Sequence, residues 1–238
     1  MTANAVVERR IYVWDVPTRI FHWSLAILVV VAWLTGEGEG ASASLHRAAG
    51  AAIAGLLMFR IIWGFVGGEH ARFADFAFAP AVVIGYVREL MFAKPVRHLG
   101  HNPLGAIAVF LILANLIAIV VTGLLSAGEH NAGPFAGASG ESFAELHEAS
   151  FRVLQGLVTL HLIGVVAETV LTRDALAPAM ITGLKRRRAD EAGVDARKAG
   201  PLALIIALFA GLVLAAGLMM APVNPPGTSA NASVEERD

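Results

Sequence analysis

The sequence predicts an all-α integral membrane protein: a helical bundle with a four-helix core and a fifth transmembrane helix near the C-terminus. Three observations carry that prediction. Of 238 residues, 56% are hydrophobic and only 16% charged, against roughly 25% charged in average soluble domains, and the mean hydropathy is +0.66. The apolar residues gather into five runs, each near the roughly 20 residues that cross a hydrocarbon core of about 30 Å. Lysine and arginine fall almost wholly on one side of those runs. This composition excludes a water-soluble enzyme and a disordered chain, and the net charge of −1 leaves no basic face for nucleic acid. The absence of cysteine excludes disulfides, iron–sulfur clusters, thiolate metal sites and covalent haem attachment.

The runs are 20–35, 45–66, 104–126, 146–171 and 202–221. Barrel strands are excluded, since they alternate over about ten residues. The first run is the shortest, but it extends back through Pro17, a residue suited to a first helical turn, with Trp14 and Trp23 as interfacial anchors. Carrying His22 and Trp23, it reads as a retained helix rather than a cleaved signal. Pro201 opens the fifth run, and Pro222, Pro225 and Pro226 close it before a polar tail expected to be disordered.

Orientation follows from the basic residues. Arg9, Arg10 and Arg19 precede the first run. Arg72, Arg88, Lys94 and Arg97 lie between the second and third, and Arg173, Lys185–Arg188, Arg197 and Lys198 between the fourth and fifth. The first and third loops have none, and the tail only Arg237. The N-terminus is therefore expected in the cytoplasm and the C-terminus outside. Between the second and third runs, Pro80 followed by Val83, Ile84, Val87, Leu90 and Met91 predicts an amphipathic helix on the inner membrane surface. The Gly- and Ala-rich third loop reads as mobile, and Lys185–Arg188 as a positive-inside signal near anionic lipid.

Ionisable residues inside a bilayer are costly and point to function. His22, His46, His147 and His161 lie in or at the ends of the runs. His147 and His161 are fourteen residues apart, a rise of about 21 Å with nearly the same facing, too far to share one ion. Two planar cofactors stacked across the bilayer fit that spacing. His46 lies at the depth of His147 on the outer side, and His22 at that of His161 on the inner. Paired imidazoles leave iron no open position, which suits electron transfer. Helix–helix hydrogen bonding is the alternative use of any single membrane histidine. Gly50, Gly55, Gly156 and Gly164 would admit a flat ring beside a helix, or serve ordinary helix packing.

Together these residues resemble a known family. Val13-Trp14-Asp15-Val16-Pro17-Thr18-Arg19-Ile20-Phe21-His22-Trp23 resembles the opening signature of bacterial di-haem cytochrome b561 proteins, relatives of the cytochrome b subunits of nickel–iron hydrogenases and formate dehydrogenases. His46 with Gly50, Arg60, Trp63, Gly64 and Gly67 resembles the second span. Gly100-His101-Asn102-Pro103-Leu104-Gly105 resembles the start of the third, and His147-Glu148 with His161 and Gly164 the fourth. The similarity covers about residues 11–186, the fifth run matching least.

The resemblance implies a bacterial inner-membrane protein with two non-covalent b haems, held by His46 with His147 and by His22 with His161. It implies a quinone site near the inner haem, placed by similarity at His161, Arg19, His101 and Asn102. Arg19, Arg47, Arg60 and Arg152 are candidate haem-propionate partners, and Arg152, a charge within a span, most needs one. The organisation expected is a cytochrome b transmembrane domain over 1–186, then over 187–238 a cytoplasmic linker, the fifth helix and the outer tail.

The function expected is electron transfer between the quinone pool and a periplasmic redox partner, as a carrier or as a subunit of a quinone-linked oxidoreductase. Eight acidic residues in the outer segments, against Arg47 and Arg237, favour a partner with a basic face such as a c-type cytochrome. A superoxide:quinone oxidoreductase is the alternative, although an acidic mouth slows an anion. A histidine-based metal or proton transporter is a third reading, but it would cluster ligands near the midplane.

Overall fold

Asp15 starts the first helix and fastens the second to it. Its Oδ1 accepts the Thr18 N–H at 2.8 Å, an N-cap, while Oδ2 accepts Trp63 Nε1–H at 3.1 Å and the Gly68 N–H at 3.2 Å. A Cβ on Gly68 would lie 2.5 Å from Oδ2, so only glycine lets the backbone approach. The computed structural model describes residues 10–92, 96–127, 132–186 and 194–222. Within them run α1 (Val16–Thr35), α2 (Ala41–Val66), α3 (Pro80–Met91), α4 (Pro103–Leu125), α5 (Gly140–Thr172), α6 (Leu176–Thr182) and α7 (Pro201–Met220). All but α3 and α6 are long and apolar enough to cross a membrane.

These five match the five apolar runs, with one large shift: α5 begins six residues before the expected 146. Glu141 in its first turn suits the positive end of the helix, and polar residues extend the helix past its apolar stretch. At about 1.5 Å per residue its 33 residues span about 50 Å, well beyond the hydrocarbon layer. Pro80 opens α3 as expected; Tyr86 faces inward while Val82, Ile84, Val87 and Met91 are exposed.

The chain forms two compact units. The first comprises Met1–Ile20, Trp63–Val109 and Leu160–Leu204, the second Phe21–Ile62, Phe110–Thr159 and Ile205–Asp238. In the first unit a two-stranded antiparallel sheet appears that apolar runs alone could not predict. β1 (Arg10–Tyr12) pairs with β2 (Leu184–Arg186), Ile11 opposite Lys185. Strand alternation turns Ile11 and Val13 inward with Trp14 and Ala179, backed by Leu99 and Met180. The segment expected as a linker is fastened there: the Ala196 N–H donates to Tyr12 O, and Glu69 and Arg197 exchange bonds of 2.9 and 3.0 Å.

Lys185 also departs from expectation. It is a buried ion-pair member, 4% exposed, rather than a lipid-facing positive charge. Its Nζ lies 3.3 Å from Asp174 Oδ2 and donates to His98 O, while Arg97 donates to both Asp174 oxygens at 3.2 Å. Arg187 and Arg188 of the same basic run lie outside the described residues. Burial alone would raise the Asp174 carboxyl, but the Arg97 hydrogen bond and the Lys185 charge outweigh it and hold it below the usual carboxylate range. A depressed carboxyl contributes stability above its unfolded pKa and loses it as pH falls through the folded one. Asp174→Ala leaves Arg97 and Lys185 facing each other in a buried site. We expect a loss of about 3–5 kcal/mol, read as a lower Tm in detergent with the acid-side dependence flattened.

In the second unit Ile53 and Leu57 of α2, Leu116 of α4 and Leu154 of α5 form the centre, joined by Leu25, Leu28 and Val29 of α1. This is the expected four-helix core. The fifth helix joins it: α7 crosses α2 at Gly211 and Gly55, where a Cβ on either would lie 2.6 Å from the other's carbonyl oxygen. Such glycine contacts drive close helix packing in lipid. The third loop, expected to be mobile, folds back where it is described: Gly133 N–H donates to Ser126 O and Phe135 N–H to Leu124 O. Its residues 128–131, like the tail from 223, lie outside the described residues.

Candidate functional site

Two of the four membrane histidines meet in the second unit. His46 sits one turn into α2 and His147 two turns into α5, with ring centroids 6.1 Å apart and planes at 76°. Each is aimed by a neighbouring helix. His46 Nδ1 lies 2.8 Å from Ala32 O of α1, and His147 Nδ1 lies 2.8 Å from Ile119 O of α4. A carbonyl only accepts, so both Nδ1 atoms carry the proton and both Nε2 atoms present a lone pair. This is the arrangement by which second partners orient histidine ligands.

The ring separation suits two imidazoles sharing one ion. Metal–imidazole bonds of about 2.0 Å, with about 1.1 Å from nitrogen to ring centre, set two opposed rings about 6.2 Å apart. Two imidazoles leave four positions for a macrocycle's own nitrogens. A Cβ on Gly50, one turn past His46 on α2, meets nothing within 4 Å, so the backbone there is open to a close neighbour. Gly156 is open in the same way, whereas Gly55 is occupied by the α7 crossing.

Gly123 was not found by sequence reasoning. A Cβ there would lie 2.9 Å from His147 Cε1 and 3.0 Å from Nδ1, so glycine is what lets the ring reach the Ile119 carbonyl. Its signal in the sequence is Thr122-Gly123, two small residues near the end of the third run. Thr122 Oγ1 lies 3.4 Å from His147 Nδ1.

The other expected site residues are spread more widely. His22, on α1, stacks edge-on against Trp23 at 5.2 Å in the second unit, and His161 lies on α5 in the first. Gly164, one turn beyond His161 on the side away from His147, faces open space. Arg152, exposed, pairs with Glu148 one turn before it, which supplies the partner its charge requires. Arg47 donates to Ser44 Oγ at 3.1 Å, and Arg60 is buried at 3% exposure.

In the first unit Arg19 donates to Ile181 O beside Gly183, whose φ of +82° favours glycine. His101 is held between Trp14 at 4.8 Å and Phe76 at 4.3 Å, with His70 on the far side of Trp14 at 6.4 Å. Burial lowers the His70 pKa. Asn102 Oδ1 accepts the Gly105 N–H at 2.6 Å and caps α4, a structural duty that occupies its oxygen.

The sequence as a whole is similar to several known proteins. Residues 13–183 match the family model of prokaryotic cytochrome b561. A probable Ni/Fe-hydrogenase B-type cytochrome subunit of Rhizobium leguminosarum bv. viciae is 27% identical over 218 residues, covering 76% of this chain and 90% of that protein. The corresponding protein of Bradyrhizobium diazoefficiens is 28% identical over 223 residues, covering 78% and 90%. A probable Ni/Fe-hydrogenase 1 B-type cytochrome subunit of Escherichia coli K12 is 23% identical over 216 residues, covering 74% and 91%. No solved structure matches.

Proposed function

The chain belongs to the prokaryotic cytochrome b561 family, multi-pass membrane proteins that carry haem b and transfer electrons, and from that premise we propose a di-haem carrier linking the quinone pool to a periplasmic redox partner. The observation that carries the reading is the His46–His147 pair: two imidazoles with free Nε2 atoms and centroids 6.1 Å apart. Haem supplies reversible one-electron exchange when bound. His46 and His147 hold the outer group, and His22 with His161 the inner one, matched in depth along the sequence. Two imidazoles on each haem would leave no position for oxygen, so the groups would exchange electrons rather than bind it. The basic loops support an N-terminus in the cytoplasm and a bacterial inner-membrane location.

The quinone belongs on the cytoplasmic side. There His101, clamped between Trp14 and Phe76, offers an imidazole and a flat aromatic wall to a quinone head, with Arg19 and Asn102 nearby in sequence to His22 and α4. A quinone-site inhibitor is therefore expected to shift the spectrum or potential of the inner haem. A shift confined to the outer haem moves the site to the opposite face.

The relatives' names attach them to Ni/Fe-hydrogenases, so the outer partner of this chain is either such an enzyme or a soluble c-type cytochrome. In the second unit Glu37, Glu39, Glu141 and Glu145 are all exposed, at the same helix ends as His46 and His147. Acidic charge accelerates encounter with a basic face more than it tightens the complex, and the Debye length falls from about 10 Å at 0.1 M salt to about 3 Å at 1 M. Electron exchange with a c-type cytochrome is expected to slow steeply with salt, and likewise when the four glutamates are neutralised together. A rate unmoved by both treatments removes the soluble partner and leaves a fixed enzyme subunit.

A further inference from the structure

One buried acid is used by none of this. Glu168 lies on α5 seven residues past His161, which returns it to nearly the same helix face about 10 Å closer to the basic loops. It is 7% exposed, and Tyr86 of α3, 4% exposed, donates its hydroxyl to Glu168 Oε2 at 2.5 Å. Burial and this bond hold the tyrosine pKa well above its usual value, so the phenol stays protonated and acts as a donor. Around the pair stand the His98 ring, 5.6 Å from that of Tyr86, Glu89 on α3, and Lys185 on β2 with its partners Asp174 and Arg97. A carboxyl group buried among these, close to the aqueous face rather than at mid-membrane, has no role in packing that an apolar residue would not fill more cheaply.

We propose that Glu168, held by Tyr86, is a proton-loading site whose occupancy follows the electron count at the His161 site. The proposal rests on the haem reading above. An electron on haem held at that site would lower the local positive charge by one. At about 10 Å and an effective dielectric near 20 the two charges interact, so the electron favours a proton on the Glu168 carboxylate. One proton then enters from cytoplasmic water onto a carboxylate oxygen. Two such events supply the two electrons and two protons that turn a quinone into a quinol. Tyr86 positions the carboxylate; Lys185 and His98 lie on the side from which the proton comes.

The test is a spectroelectrochemical titration of the purified holoprotein at a series of pH values, with redox-difference infrared spectra. In the wild type the inner-haem potential is expected to fall as pH rises, with a carboxyl C=O band that appears on reduction. Glu168→Gln is expected to keep both haems, abolish the band and flatten the pH dependence, while Tyr86→Phe keeps the slope but moves the pH at which it occurs. A Glu168→Gln protein with unchanged slope overturns the proposal, as does a wild type with no carboxyl band. If Glu168→Gln fails to fold, Tyr86→Phe and the wild-type infrared spectrum decide. A His161→Ala protein with undiminished haem overturns the haem reading itself.

Discussion

Exchanging His147 for alanine is expected to remove one of the two proposed b haems and halve the haem-to-protein ratio, and exchanging His46 is expected to remove the same one. Each imidazole is fastened by its own backbone carbonyl, Ala32 O for His46 and Ile119 O for His147, so loss of one ligand leaves the other in place. A single imidazole with a vacated opposite position holds haem weakly, and the site empties. His22→Ala and His161→Ala are expected to remove the other haem and leave the outer one in place. Reduced-minus-oxidised spectra and haem quantitation on purified protein check all four. If His161→Ala removed the same haem as His46→Ala, the pairing would be wrong.

Gly123→Val is expected to empty the outer site with both its histidines intact. The first added carbon alone sits 2.9 Å from His147 Cε1, and valine adds two more on a helix that holds its χ1 stiff. The ring must swing off the Ile119 carbonyl, which frees its tautomer and moves Nε2 off the line to its partner. Overpacking of this kind costs about 1–3 kcal/mol in stability, but the larger effect falls on the cofactor. Gly123→Ala is expected to show the same loss in part. Full haem content in the valine variant would mean that His147 is not held as the structure has it.

The spans were legible because a hydrocarbon layer demands a length of apolar chain that nothing else in this sequence resembles. Their ends were less so. At 140–145 the helix continues through Glu141, Ser142 and Glu145, residues that hydropathy assigns to a loop. The sheet was not legible, since three-residue strands paired across more than 170 positions carry no local period. Lys185 reads like any member of a basic run, and only its pairing with Asp174 separates a buried charge from a solvated one. At the site, the histidines stood out because imidazole is rare in lipid. The carbonyls that aim them are invisible in a sequence, because every residue has one. Gly55 looked like room for a flat ring because glycine marks close approach without saying by what; here it is α7.

The two carbonyl anchors bear on how fast charge can move. An electron hop is slowed by whatever must rearrange when charge arrives, and exposed ligands rearrange with water. Here His46 and His147 are fixed by main-chain dipoles of α1 and α4, helices whose peptide groups are already committed to their own ladders. Dipoles held in advance need not reorient when charge changes. With haem held there, the reorganisation energy is expected to be small and set by backbone rather than by side chains, and substitutions at Ala32 or Ile119 that keep the helices intact are expected to leave it unaltered.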